Sequence, residues 1–167
     1  MLAHLTDIEL MASLNEGNHD AYQLLYERWG ERVMHFLIRR TGSYLAAEEA
    51  LQETWLRVFR FRHTYKPGRR FSAWLYTIAA NAGFDAREPV TESFDWEPPV
   101  EAQHHLKDYV VRALHSLDPL DRRAILLTVE GFSSKEVGEM LEMRAGTVRM
   151  RIKRAREHIK AELGDPD

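Results

Sequence analysis

The sequence contains no cysteine among its 167 residues. This absence excludes disulfide bonds and any zinc site built on thiolate ligands. The chain also lacks an apolar run of the roughly 20 residues that a membrane-spanning helix needs, and its N-terminus has no charged-then-apolar export signal. We therefore expect a soluble, cytoplasmic protein.

Signatures of catalysis are missing as well. The sequence has no G-x-x-x-x-G-K phosphate-binding loop, no nucleophile elbow and no zinc motif. The adjacent histidines His104 and His105 have neither cysteine nor a carboxylate triad beside them, so we interpret them as surface residues. We expect no enzymatic activity, no metal and no cofactor.

Strand-like alternation is absent, whereas helical spacing of apolar residues recurs along the chain. Asn18 and Ser43 are suited to cap two long helices, and a shorter helix is predicted near residues 5–16. Residues 71–82 repeat their apolar positions at helical spacing. Before them, residues 62–70 combine proline with glycine and are predicted to form a loop. The sequence predicts an all-α fold.

Residues 88–103 interrupt this helical pattern. They contain three prolines and several acidic residues but little periodic apolar content. Such a composition predicts a flexible acidic linker. We therefore expect two small helical domains, at residues 1–87 and 104–167, joined by this segment.

The C-terminal part shows the clearest pattern. Asp118 before Pro119 favours a helix start, and Ser133 with Glu136 forms a capping box for a second helix, which ends near Glu142. The third helix has one apolar stripe and one basic face. The stripe is Val148, Ile152, Ala155, Ile159 and Leu163, and the basic face is Arg149, Arg151, Lys153, Arg154, Arg156 and Lys160. A short helix, a turn and a basic helix are typical of a helix-turn-helix that enters the DNA major groove. An ordinary solvated basic face is the alternative.

A net charge of −3 is unusual for a protein that binds DNA. The charge is unevenly distributed, because residues 144–160 are strongly basic whereas residues 88–101 contain acids and no base. Phosphate neutralisation drives non-specific DNA binding, so a weakly acidic chain should bind DNA poorly by itself. The sequence therefore predicts dependence on a partner.

Three segments in a particular order now suggest a family. They are Gly146-Thr147-Val148-Arg149 in the basic helix, the stretch from Ala47 to Val58, and the stretch from Phe71 to Ala79 followed by Asn81 and Asp85. Together they resemble the promoter-reading, core-polymerase-binding and promoter-melting helices of bacterial sigma factors of the extracytoplasmic-function type. The three segments follow the family's order and spacing, and together they cover nearly the whole chain.

The resemblance implies that the helix at residues 48–58 binds the clamp coiled-coil of the polymerase β′ subunit. On this helix, Leu51, Trp55 and Val58 are expected to pack inward. The candidates to face the polymerase are Glu49, Gln52, Glu53 and Leu56. From the pattern alone, a solvated acidic face is the alternative.

Single-stranded promoter DNA needs aromatic or planar surfaces, hydrogen-bonding groups and cations. The loop at residues 62–70 and the helix after it supply such groups, and the resemblance implies that Asn81 contacts an unpaired base of the minus-ten element. The candidates are His63, Tyr65, Lys66, Arg69, Arg70, Asn81 and Arg87. Trp74 lies on the apolar stripe, so we interpret it as a core residue.

The basic helix is expected to read the minus-thirty-five element. Arginine suits bidentate contacts to guanine, and a threonine hydroxyl at a helix start suits a phosphate. The candidates are Arg144, Thr147, Arg149, Met150, Arg151, Lys153 and Arg154. Arg144, the adjacent Ala145 and Met150 differ from the residues that the family usually has at these positions. These differences predict an altered preference for promoter sequence.

A further departure concerns the melting helix. Ala80 stands where the family usually has a basic residue. After Asp85 the family usually has several arginines or lysines, whereas this chain has only Arg87 before Glu88 and Pro89. Fewer cations mean fewer phosphate contacts. This difference predicts a stringent sigma factor, or a sigma-like protein that binds polymerase without efficient promoter melting.

The predicted function is that of an alternative sigma factor. It is expected to bind core RNA polymerase through the β′ clamp coiled-coil and the β flap, to direct it to promoter DNA, and to be held by an anti-sigma protein. The acids of the linker are expected either to keep it off DNA or to let it lie in a basic polymerase channel, and a plainly solvated linker is the alternative. Two other classes remain open: an autonomous helix-turn-helix regulator, and a helical enzyme or ligand-binding domain with a basic tail.

Overall fold

A computed structural model of the chain describes residues 2–82, which we call the N-terminal half, and residues 108–164, which we call the C-terminal half. These residues form eight α-helices and one short 3-10 helix, without a strand. The predicted all-α fold is thus confirmed. No helix in these two ranges combines the length and hydrophobicity of a membrane span. The predicted linker at residues 88–103 lies outside the described residues.

The N-terminal half contains four α-helices. They are α1 (Asp7–Asn15), α2 (His19–Thr41), α3 (Tyr44–Arg60) and α4 (Phe71–Asn81). The predicted caps of α2 and α3 are confirmed, because the side-chain oxygens of Asn18 and Ser43 accept bonds from backbone N–H groups of the first turns. The predicted loop before α4 begins with the 3-10 helix Arg62–Thr64, which its proline and glycine did not signal.

The C-terminal half contains the other four helices. They are α5 (Asp108–His115), α6 (Pro119–Val129), α7 (Ser134–Leu141) and α8 (Ala145–Leu163). Asp118 caps α6 by accepting from the N–H of Leu120 at 3.0 Å, with Pro119 in the first turn. The capping box of Ser133 and Glu136 at the start of α7 is also present, as predicted.

The turn between α7 and α8 has two special positions. Glu142 ends α7 in the left-handed region, at a φ of 56°. Gly138 lies against the turn so closely that a Cβ on it would be 2.5 Å from the carbonyl oxygen of Met143. This close approach needs glycine, and it sets the angle at which α8 leaves the turn. The two helices and their turn form the predicted helix-turn-helix.

The apolar stripe of α8 is shorter than predicted. Val148, Ile152 and Ala155 are buried and Ile159 is half-buried, but the side chain of Leu163 is 43% exposed. At about 1.5 Å per residue, α8 is much longer than any of the three helices it packs against, α5, α6 and α7. Its last turn therefore extends past them, and the prediction of a buried Leu163 is wrong.

The two halves pack against each other. Buried apolar side chains from both halves belong to one continuous cluster, and α2 contacts α5 and α6 while α4 contacts α7. Arg122 of α6 is 4% exposed and donates to the carbonyl oxygen of Arg40 in α2 at 2.8 Å. This packing had no counterpart in the sequence analysis, because the contacts join residues far apart in the chain.

Candidate nucleic-acid and protein interfaces

An exposed stripe runs along α3. Glu49 and Gln52 are exposed, and the side chain of Leu56 is 49% exposed. Glu53 is half-buried and accepts from the Nε of Arg57 at 2.6 Å, so part of its charge is neutralised within the helix. Three of the predicted polymerase-binding residues are thus exposed in the structure, and the fourth is half-buried.

The stripe on α3 extends further than the sequence analysis indicated. Leu45, one helical turn before Glu49, is 67% exposed, so the stripe has an exposed leucine near each end. On the neighbouring helix, Tyr26 is 40% exposed and its ring lies 5.2 Å from that of Trp55. The spacing of Leu45, Glu49, Gln52 and Leu56 by one-turn steps was the available signal for this larger surface.

The loop before α4 divides into exposed cations and a buried aromatic residue. His63, Lys66, Arg69 and Arg70 are exposed. Tyr65, in contrast, is 6% exposed and its hydroxyl donates to the carbonyl oxygen of Arg69 at 2.7 Å.

Tyr65 therefore lies in the core of the loop. Its ring packs against Phe71 at 5.9 Å and against Trp74 at 5.4 Å. In this arrangement the ring has no face open for stacking on a base, which was its predicted role. Trp74 is 8% exposed, and its interpretation as a core residue is confirmed.

Asn81 is the last residue of α4, and both polar atoms of its side-chain amide make hydrogen bonds. Its Nδ2 donates to the carbonyl oxygen of Thr77 at 2.8 Å, and its Oδ1 accepts from the Nη1 of Arg123 at 2.9 Å. The preceding Ala80 is fully buried, so a long cationic side chain would not fit there in this arrangement. Arg87, the last minus-ten candidate, lies outside the described residues.

Most candidates for minus-thirty-five recognition lie on the outer side of α8. Arg144 precedes the helix as its N-cap residue. The exposed candidates are Arg144, Thr147, Arg149, Met150, Lys153 and Arg154, while Arg151 is half-buried. The exposed set brings cations, a hydroxyl and a thioether to one surface, which suits both phosphate and base-edge contacts.

Asp121 of α6 accepts from two of these arginines. The nearest contacts to its carboxylate are the Nη1 of Arg151 at 2.6 Å and the Nη2 of Arg154 at 3.1 Å. Burial of Asp121 opposes ionisation, but the hydrogen bonds from Arg154 and Arg151 outweigh it and hold the pKa of Asp121 below its usual range. The residue pattern of α8 alone gives no sign of this partner. This acid lies on a neighbouring helix.

A shallow groove of about 400 Å³ lies beside the start of α7. Three cations of α8, Arg149, Lys153 and Arg156, line it with one acid, Glu157, together with Ser134 in the first turn of α7. Cations beside the N–H groups of a helix start suit a phosphate oxygen. Arg156 was recognised as part of the basic face but was not among the candidates for DNA contact.

Two family models match the chain. Sigma-70 region 2 matches residues 25–88, and Sigma-70, region 4 matches residues 107–159. The chain is 35% identical to the RNA polymerase sigma factor CarQ from Myxococcus xanthus, over 93% of this chain and 96% of that protein. It is 34% identical to the ECF RNA polymerase sigma factor SigE from Mycolicibacterium smegmatis, over 81% of this chain and 59% of that one.

Solved structures of other proteins have a fold similar to that of this chain. CnrH, determined in complex with the cytosolic domain of CnrY, superposes with a TM-score of 0.74 at 28% identity, covering 94% of this chain and 96% of CnrH. The sigma factor RpoE from Bartonella quintana, determined in complex with the anti-sigma factor NepR, gives a TM-score of 0.69 over 85% of this chain and 96% of RpoE. The latter shares 23% identity, so it supports the fold alone.

Proposed function

The chain belongs to the extracytoplasmic-function sigma factors of the sigma-70 family, and on that premise we propose how its surfaces recruit core RNA polymerase to promoters and help to open the duplex. Sigma factors bind polymerase and direct promoter-specific transcription; they are not enzymes. The observation that carries the proposal is that matches to two sigma regions, in family order, fall on two halves that each carry an exposed interaction surface.

The stripe on α3 is the proposed polymerase-binding surface, and the β′ clamp coiled-coil is its partner. Glu49 and Gln52 offer an acid and an amide to a basic helix, and Leu56 offers apolar area beside them. The exposed leucines add apolar contact area to the hydrogen-bonding groups of Glu49 and Gln52, and protein interfaces combine both. We add Leu45 to this surface because it continues the same stripe.

Residues 1–87 are proposed to read and melt the minus-ten element, with the exposed cations of the loop before α4 holding the DNA backbone. Lys66 and Arg69 are open to solvent for this purpose, and the exposed ring of His63 lies in the same loop. Asn81 would contact an unpaired base once its amide is released from Arg123. Tyr65 would support the loop from within, as its burial suggests.

Residues 104–167 are proposed to read the minus-thirty-five element and to contact the β flap. Arg149 and Lys153 are exposed on α8 and border the groove at the start of α7. Arg151 is held by Asp121, which supports a role in positioning α8 rather than in reading bases. Arg154 pairs with the same carboxylate, but its side chain is 65% exposed. Part of its guanidinium is therefore available to DNA.

An inhibitory partner is also proposed. CnrH, a structural neighbour at 28% identity, was determined with a bound partner, the cytosolic domain of CnrY. We infer that an anti-sigma protein likewise binds this chain, and that it does so in the cytoplasm, where the polymerase is. A sigma-like protein without efficient melting is a second candidate function, and Ala80 favours it because an alanine offers no cation to a phosphate at that position.

Binding to purified core polymerase tests the central part of this proposal. The double variant Gln52→Ala with Glu53→Arg should weaken binding by at least about 2 kcal/mol, since truncating central interface residues typically costs this much. Glu31→Arg, an exposed residue on α2, is the matched control for added charge and should bind normally. Unchanged affinity of the double variant would contradict the assignment of α3. Tight DNA binding without polymerase would instead support an autonomous regulator.

A further inference from the structure

Met150 is an exposed apolar residue on the helix proposed to read the minus-thirty-five element. It is 68% exposed, more than any other large apolar residue in the two ranges that the structure describes. The buried residues Val148 and Ile152 lie two positions before and two positions after it. At about 100° per residue, Met150 therefore points almost directly away from the core.

Four residues share the outermost line of α8, which we call the crest. Steps of four, three and four positions align Gly146, Met150, Lys153 and Glu157 on one side of the helix. All four are exposed. The crest carries one cation and one acid, and its first two positions carry no charge.

Most cations of α8 lie beside the crest rather than on it. At about 100° per residue, Arg149 and Arg156 lie on one flank and Arg154 lies on the other, and all three are exposed. A helix in the major groove meets base edges along its outermost line, while its flanks meet the phosphates of the two strands. The charge distribution of α8 matches this orientation, because cations favour phosphates.

The crest has an open hollow one turn before Met150. Apart from adjoining residues and the backbone of α8, a Cβ on Gly146 would have one atom within 4 Å, the Nη2 of Arg149 at 3.8 Å. Among the described residues, no other side chain fills this space. Helical side chains lean toward the N-terminus of their helix, so the thioether of Met150 borders the hollow.

We propose that Met150 and the hollow at Gly146 read a thymine of the minus-thirty-five element by its C5-methyl group. This methyl group is the apolar feature that a T·A pair presents in the major groove, and apolar side chains contact it. Residues near the start of a recognition helix are those that reach base edges. A thioether side chain is flexible and polarizable, which suits it to pack around a methyl group.

Met150 also opposes the other base pairs. Its side chain has no hydrogen-bond donor, and its sulfur is only a weak acceptor. A cytosine amino group or a guanine carbonyl against it would lose water without gaining a comparable hydrogen bond. The contact therefore selects T·A by attraction and disfavours G·C by leaving polar groups unpaired. This inference rests on the proposed reading of the minus-thirty-five element by α8, and deepens it by naming the base and the group that is read.

The test uses holoenzyme assembled from core RNA polymerase and the full-length chain. The DNA is a pool of duplex bacterial promoter fragments whose minus-thirty-five element is randomised, and the fragments that the holoenzyme retains are sequenced. The same selection is carried out with Met150→Ser, with Met150→Leu and with Leu163→Ala. Leu163 is the matched control, because it is an exposed apolar residue in the last turn of the same helix.

Wild-type holoenzyme should select thymine at one position of the element. Met150→Ser should lose this preference and keep the preferences at the other positions. Met150→Leu, which retains an apolar side chain, and Leu163→Ala should both keep it.

A second measurement isolates the methyl group. Uracil in place of the selected thymine removes only the methyl group, and it should lower the affinity of wild-type holoenzyme about fourfold, as expected for the loss of one buried methyl group. Met150→Ser should bind the thymine and uracil fragments equally. Cytosine at this position should bind weakly, and 5-methylcytosine should recover part of the affinity because it returns the methyl group to the groove.

Equal affinity of wild-type holoenzyme for the thymine and uracil fragments would overturn the proposal. A difference that persists in Met150→Ser would also overturn it, as would a Met150→Ser holoenzyme that loses every preference, because one base contact would not explain either result. Preferences at the other positions would still support the proposed function of α8 in the wild type. A wild-type holoenzyme without any preference in this element would overturn both, because α8 would then read no base.

Discussion

The Nη1 of Arg122 donates to the carbonyl oxygen of Arg40 at 2.8 Å, joining α6 to the end of α2. The same guanidinium donates through Nε to Leu114 at 2.8 Å and through Nη2 to His115 at 2.9 Å, near the end of α5. The last carbonyl groups of a helix have no partner within it. One buried arginine therefore satisfies the ends of two helices that belong to different halves of the chain.

Replacement of Arg122 should destabilise the whole described fold. Arg122→Met keeps much of the side-chain volume but leaves buried carbonyl oxygens without donors. We expect the free energy of unfolding to fall by about 3 kcal/mol, since hydrogen bonds to charged groups contribute about 1.5–3 kcal/mol each. Urea denaturation followed by circular dichroism measures this. Arg112→Met, at an exposed position of α5, should change stability little, and equal stability of the two variants would contradict the account.

A second prediction concerns the turn of the helix-turn-helix. Gly138→Ala places a Cβ 2.5 Å from the carbonyl oxygen of Met143, and a backbone atom cannot rotate away. Overpacking of this kind costs roughly 1–3 kcal/mol, and the displacement of α8 should also weaken minus-thirty-five binding. Gly68→Ala is the control, because nothing lies within 4 Å of its added Cβ. A Gly138→Ala protein with wild-type stability and DNA affinity would refute this role of the glycine.

Local structure was predictable from the sequence because its causes are local. The caps at Asn18, Ser43 and Asp118 and the capping box of Ser133 depend on side chains within three residues of the groups they bind. Helical spacing predicted the buried face of α8 as far as Ile159. The same local signals failed at Leu163, where burial depends on whether another helix is present to cover it.

The candidate site was predictable only in part, because its electrostatics are non-local. Arg151 belongs to a basic run in the sequence, yet its partner Asp121 is 30 residues away on another helix. Tyr65 resembles a base-stacking residue in a basic loop, but it is the packing of Phe71 against it that buries the ring. Likewise, no local pattern pairs Asn81 with Arg123. Composition and spacing identify the residue types of a site but not their partners.

Acidification should reveal the contribution of Asp121. Its pKa is held below the ordinary value by Arg154 and Arg151 despite burial, so the folded state favours the carboxylate. The stabilisation is therefore complete above the ordinary aspartate pKa of about 3.9 and is lost as the pH falls below it toward the folded-state pKa. Asp121→Asn lacks this contribution. We expect the stability difference between wild type and variant, measured by urea denaturation, to be constant near neutral pH and to shrink below about pH 4.

A difference between wild type and Asp121→Asn that stays constant down to the lowest pH at which the protein folds would contradict this. It would mean that the stabilising effect of Asp121 does not depend on its ionisation, and that its charge contributes nothing to the packing of α6 against α8.

Arg149 should contribute to sequence recognition. It is exposed on α8 and lines the groove at the start of α7, where we propose that it contacts DNA. If it reads a base, Arg149→Ala should lower the affinity of the holoenzyme for one promoter element by about 1–3 kcal/mol. The measurement compares an intact promoter with one whose minus-thirty-five element is scrambled. Equal loss on both sequences would make Arg149 a phosphate contact.

Run-off transcription tests the account most directly. Purified core RNA polymerase is incubated with a library of bacterial promoters, with and without this protein. The account predicts that specific transcripts appear only when the protein is present, and that their promoters share a minus-ten and a minus-thirty-five sequence. Polymerase binding without any transcript would contradict promoter melting by this chain and favour the candidate function without it. Absence of polymerase binding would contradict the central claim itself.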